Sequence, residues 1–105
     1  MTTFDEREQS FEKKFKHDQE LRFKANARRN KLFGLWAAER MGLKGAEAEM
    51  YAKAVVEADV GGAGARDKAL KDVAAKGVAV DETEAQREYD RLLTVAKEQI
   101  LKQGT

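Results

Sequence analysis

The chain has no cysteine and no proline. Without cysteine there can be no disulfide and no thiolate metal site. Without proline nothing in the sequence breaks a helix by removing a backbone donor. Histidine and serine occur once each, as His17 and Ser10, so no Ser-His-Asp arrangement can be assembled. Glu-x-x-His and His-Glu-x-x-His metal pairs are also missing. Charge of one sign is missing too: 20 Lys and Arg stand against 19 Asp and Glu. A near-neutral chain lacks the basic field that general nucleic-acid binding needs. No apolar run approaches the roughly 18 residues of a membrane span. The N-terminus is acidic and has no basic segment followed by an apolar one, so it is not expected to be a signal peptide. These absences describe a cytoplasmic binding or regulatory protein rather than an enzyme.

Charge, alanine and aromatics are what remain, and they are unevenly placed. All five Phe and the single Trp lie between Phe4 and Trp36. At about 100° per residue, Phe4, Phe11 and Phe15 fall within roughly 40° of one another on a helix. They form a narrow aromatic stripe on an otherwise charged rod. The next apolar line, Leu21, Ala25, Leu32 and Trp36, is rotated by roughly 70–100° from that stripe. One straight helix cannot bury both lines against one partner. The sequence therefore divides into an arm over 1–17 and a packed domain over 18–105.

The arm has a capping-box pattern in Thr3 and Glu6 and an acid-before-base pair in Glu12 and Lys16. A lone helix this short is marginal in water. Asp18/Arg22 and Glu20/Lys24 repeat the pairing at the start of the domain.

From about Asp18 to Met41 the pattern predicts the first packed helix. Its seam is Leu21, Ala25, Leu32 and Trp36, with Phe33 and Leu35 to either side. Phe23 falls nearly opposite this seam, and Gly34 is a weak point. Gly42 is a stop signal. A second helix runs from about Gly45 to Val60, with Met50, Tyr51, Ala54, Val55 and Ala58 as its buried face. Gly61-Gly62-Ala63-Gly64 links it to a short helix from about Ala65 to Lys76, which turns Ala69, Leu70, Val73 and Ala74 inward. Gly77 closes that helix. Val78 and Val80 lead into a last helix opened by Asp81, with Glu84 at the capping-box position and Gly104 at its end. Ala85, Tyr89, Leu92, Leu93, Ala96 and Ile100 form the cleanest amphipathic line of the chain. The fold class is all-α: a four-helix bundle with a protruding or loosely packed N-terminal helical arm.

Two features have chemical possibilities. The GGAGAR run at 61–66 resembles a phosphate loop but lacks the Gly-Lys-Ser/Thr ending. A linker is the stronger reading, although the start of the short helix beside Arg66 could hold an anion weakly. Arg22, Lys24, Arg28, Arg29 and Lys31 lie in a stretch with no acidic residue. They read either as a solvated helix face or as a docking surface for an acidic partner.

The sequence also resembles a known family. MTTFDERE at 1–8, KHDQELRFKA at 16–25 and ARRNKLFGLWAA at 27–38 are similar to the zeta subunit of alphaproteobacterial F-type ATP synthases. The resemblance covers essentially the whole chain. It implies a four-helix bundle whose N-terminal segment hinders rotation of the central stalk and so blocks ATP hydrolysis, while the bundle anchors on the catalytic head. Carried onto this sequence, the inhibitory arm is Met1 to about Phe15. Phe4, Arg7, Phe11, Lys14 and Phe15 are its candidate partner-binding residues, and Arg22, Lys24, Arg28, Arg29 and Lys31 are the candidate anchor surface. The implied partners are the catalytic-head and central-stalk subunits, with no nucleic acid and no membrane insertion. The free chain is expected to be a monomer, cytoplasmic and peripheral to the membrane through the ATP synthase. No cofactor is required. The family carries a suggestion of weak ADP or ATP binding, for which no motif here supplies a site. A different class of reading is a structural or nucleotide-sensing bundle on which the arm packs back over Phe23. His17, at the arm junction, has an ordinary pKa near enough to neutrality to gate the arm by pH.

Overall fold

A computed structural model describes residues 18–103, and all its regular structure is helical. The elements are α1 (Gln19–Arg40), α2 (Ala46–Val60), α3 (Ala65–Ala75) and α4 (Glu82–Lys102). The arm, including Phe4, Arg7, Phe11, Lys14, Phe15 and His17, lies outside the described residues, as does Gly104.

The helix boundaries follow from capping chemistry. Asp18 has an extended backbone, and its carboxylate accepts the Leu21 N–H at 3.1 Å. It caps α1 in the way short acceptor side chains satisfy first-turn amides. Asp81 does the same for α4, accepting from the Thr83 and Glu84 amides. At the other end of α1, Gly42 takes a φ of +81°. There the Leu43 N–H donates to the Ala38 carbonyl and the Gly42 N–H to the Glu39 carbonyl. This paired closure needs a left-handed residue, which glycine supplies without strain. Gly77 closes α3 with the same two bonds, to Val73 and Ala74.

Helix α1 is the axis of the bundle and packs against all three other helices. Its upper half is enclosed, which explains where the expected seam was misplaced. Leu21 and Ala25 are buried as expected, but the line continues through Phe33, Ala37 and Ala38, all without exposed surface. Leu32 and Trp36 are only partly buried, at the edge of the core. A helix covered from two sides buries a band wider than one stripe, so Phe33 moves from flank to centre.

Gly34 is likewise a packing residue. A Cβ placed on it would lie 2.8 Å from the Ala52 Cα and 3.2 Å from the Val55 Cβ. Helices α1 and α2 approach this closely because Gly34 and Ala52 are small. Gly34→Ala would gain about 1 kcal/mol of helix propensity. It would also force two backbones apart, and such overpacking costs about 1–3 kcal/mol. The expected net result is a lower melting temperature, read by thermal denaturation; a rise would show that the helices can separate freely.

The contact at Ala52 also corrects the expected face of α2. Ala52 and Val55 are buried, whereas Met50 is 71% exposed. Two residues along a helix is about 200° of rotation, so α2 cannot bury both Met50 and Ala52 against α1. On α3, Ala65, Ala69 and Val73 are buried and Ala74 is exposed. Leu70 packs on the core edge with Val78 and Val80. The Tyr51 hydroxyl donates to Asp72 at 2.8 Å, tying α2 to α3. Burial, that carboxylate acceptor and its charge all push the Tyr51 phenol pKa up. Ala85, Leu92, Ala96 and Ile100 of α4 are buried as the amphipathic line predicts.

The core has two parts. The larger joins Phe33 and Ala37 to Ala69, Val73, Ala85 and Leu92. The smaller, nearer the start of α1, joins Leu21 and Ala25 to Ile100, with Leu93 and Leu101 beside them. It is built from α1 and α4 alone.

A basic and apolar groove at the arm junction

The five basic residues predicted as one surface occupy a short stretch of α1, but the helix turns them in different directions. Arg29 folds inward over the core. Its guanidinium sits 3.8 Å from the centre of the Tyr89 ring, and its Nε donates to Asn30 Oδ1 at 2.9 Å. Asn30 is the one buried polar side chain of the core among the described residues. Its Oδ1 also accepts from the Tyr89 hydroxyl at 3.4 Å. Burial raises the Tyr89 phenol pKa, and the Arg29 charge works against it. This cluster pins α1 to α4. Arg22 is exposed on another side.

Lys24, Arg28 and Lys31 come together. With Phe23, Ala27, Leu32 and Leu35 they form one side of an open groove of about 720 Å³. Val56 of α2 and Gln99, Ile100 and Gln103 at the α4 end complete it. Arg28 crosses to α4, donating to Gln103 at 2.8 Å and to Gln99 at 3.4 Å. Lys24 pairs with Glu20 at 3.4 Å and Lys31 with Glu49 at 3.7 Å. Both ion pairs are largely exposed, so each is worth at most about 1 kcal/mol and can exchange for another carboxylate.

Phe23 stands at this groove with 67% of its surface exposed. A large exposed aromatic among exchangeable cations is chemistry suited to an amphipathic helix with apolar and acidic residues. No sequence spacing could have assembled it, because Val56 and Gln99 lie far along the chain.

The glycine-rich link supplies its own carboxylate. Asp59 accepts from the Ala65 N–H at 3.3 Å, at the start of α3. The first-turn amides expected to attract an anion therefore face a negative side chain already. At the far end of α1, Arg40 lies 4.2 Å from the Trp36 ring centre and 3.4 Å from Glu84. Among the described residues no helix is long and apolar enough to cross a membrane.

Similarity to other proteins agrees with this architecture. One solved structure, determined by solution NMR, is 44% identical, with a TM-score of 0.69. The match covers 79% of this chain and 98% of that one. No curated protein matches. The profile of ATPase inhibitor subunit zeta spans residues 1–99, running through the arm and nearly the whole bundle. By that match, together with its four-helix fold, the chain belongs to the ATPase inhibitor subunit zeta family.

Proposed function

We propose that this protein restrains ATP hydrolysis by an F-type ATP synthase through a division of labour along the chain. Residues 1–15 enter between stationary and rotating subunits and hinder the central stalk. The bundle anchors on the catalytic head through basic residues of α1, with Lys24, Arg28 and Lys31 of the groove, Arg22 on another side and Arg29 over Tyr89 as its candidate contacts. The supporting observation is that the family match begins at residue 1 and continues through the bundle. The same profile thus includes both the aromatic arm and its helical support. The reading requires no cofactor.

In this mechanism Phe4, Phe11 and Phe15 bury in apolar surface, each contributing roughly 1.5–3 kcal/mol before ordering costs. Arg7 and Lys14 flank the stripe as its charged contacts. Fixing a dozen backbone residues opposes engagement by about 1–2 kcal/mol each if they start unordered. An isolated arm would therefore bind poorly, and the anchor supplies the proximity that makes engagement effectively intramolecular. Titrating variants against ATP hydrolysis by the cognate enzyme tests the stripe. Phe11→Ala should weaken inhibition about tenfold or more, in line with losing one buried aromatic. Glu12→Ala should do much less, and equal losses would remove the aromatic stripe from the mechanism.

A further inference from the structure

We infer that Asp18 is a positioning residue for inhibition. Its side chain stops α1 and so gives the arm a direction independent of the bundle axis. The link to inhibition rests on the function proposed above; the helix stop itself does not.

The first observation is that the sequence holds no other stop at this point. No glycine or proline precedes Gly34. Lysine and glutamine, which dominate the junction, are good helix formers. Yet α1 begins at Gln19, directly after an Asp18 with φ −116° and ψ 102°. A short carboxylate stops a helix by competing with backbone carbonyls for nearby amides. Here it accepts the Leu21 N–H at 3.1 Å. The Asp18 carbonyl meanwhile accepts the Arg22 N–H at 3.1 Å, as the first rung of α1. Asp18 thus belongs to the helix through its carbonyl and leaves it through its extended backbone.

The second observation is packing. Leu21 and Ala25 are buried against Ile100, with Leu93 and Leu101 beside them. A helix that loses its cap satisfies its first amides by fraying to water or by adding a turn. Fraying here would expose Leu21. Growth backward through His17 and Lys16 would expose nothing, so without the Asp18 carboxylate α1 should lengthen.

The third is the direction a longer α1 would impose. A continuous helix would carry Phe4 about 21 Å beyond Asp18 along the α1 axis. It would also lock the Phe4, Phe11 and Phe15 stripe onto the Arg22 line, about 120–180° around the helix from Lys24, Arg28 and Lys31. These three are the cations gathered in the groove. Stripe and groove would then face opposite ways, and one enzyme surface could not take both. A break at Asp18 removes that conflict, because the arm can turn its stripe without turning α1.

The test compares full-length chains carrying Asp18→Ala, Asp18→Ser and Asp18→Pro. Alanine removes the cap and favours helix. Serine keeps a capping oxygen. Proline has no carboxylate, is tolerated at a helix start, and holds the preceding residue out of helical geometry. In NMR spectra of Asp18→Ala, the Cα shifts of His17 and of position 18 should become helical, while the amide signals of Phe33 and Ala37 stay in place. The concentration needed to inhibit hydrolysis by the cognate enzyme should rise about tenfold or more, since a tether that misdirects its second element loses effective concentration. Asp18→Ser and Asp18→Pro should inhibit like the parent. Parent-like inhibition by Asp18→Ala, non-helical shifts at His17 in that variant, or an equal loss in Asp18→Pro with the bundle signals unchanged would overturn the inference. If a chain lacking residues 1–15 inhibited fully, the proposed function would fail, and the His17 shifts would still decide whether Asp18 stops the helix.

Discussion

Phe33→Ala is expected to cost about 3–5 kcal/mol, the range for emptying a fully buried aromatic site. Phe33 has no exposed surface and lies at the meeting point of α1, α3 and α4. Its ring stacks on Trp36 at 5.0 Å with 14° between planes and meets Tyr89 edge-on at 5.0 Å and 80°. Such pairs add about 0.5–1.5 kcal/mol beyond area burial. Loss of the ring also removes the support under Tyr89, and with it the platform for Arg29 and Asn30. Small domains have only about 5–15 kcal/mol in total. At about 4–8 °C per kcal/mol for a domain of this size, the melting temperature should fall by at least about 12 °C. Met50→Ala is the control, because Met50 is 71% exposed; it should stay within about 0.5 kcal/mol of the parent. Similar melting curves for the two variants would show that Phe33 does not hold the larger core together.

Much of this fold is legible from capping residues. Asp81, Gly42 and Gly77 mark helix ends by chemistry that acts within a few residues, so their positions survive tertiary packing. The α4 stripe was readable for a related reason: α4 packs chiefly on α1, and one contact surface leaves one periodic line. On α1 no single periodic line marks the core, because the helix has neighbours on several sides. Its central residue, Phe33, lay beside the line that periodicity favours, and Trp36 lay on it. The α1–α2 contact was harder still. It is made where Gly34 meets Ala52, and what these residues contribute is their smallness. Hydrophobic periodicity gives little weight to glycine and alanine, so Gly34 looked like a flaw and Met50 took the place of Ala52.

The groove shows a similar division. The cluster of basic residues after Arg22 was visible in the sequence, but its partition was not. One residue along a helix is about 100° of rotation, and that step separates Arg28 in the groove from Arg29 over Tyr89. The far walls come from α2 and α4, which only the tertiary fold brings to Phe23.

The largest functional effect should come from removing residues 1–15. Every buried residue of the described core lies between Leu21 and Ile100. The truncated chain therefore keeps its helices, both parts of the core and the Asp18 cap. Its melting curve should change little. Inhibition should change completely, because all three stripe aromatics and the flanking Arg7 and Lys14 are gone. The anchor residues remain, so the truncated chain should still compete with the full chain for the enzyme. Retained competition without inhibition would separate the two devices joined near His17.

The most direct measurement is the rate of ATP hydrolysis by the cognate catalytic head, titrated with the full chain and with the chain lacking residues 1–15. The account predicts that the full chain slows hydrolysis and that the shortened chain, still folded, leaves it at the uninhibited rate. Equal inhibition by the two would contradict it and place the inhibitory element in the bundle.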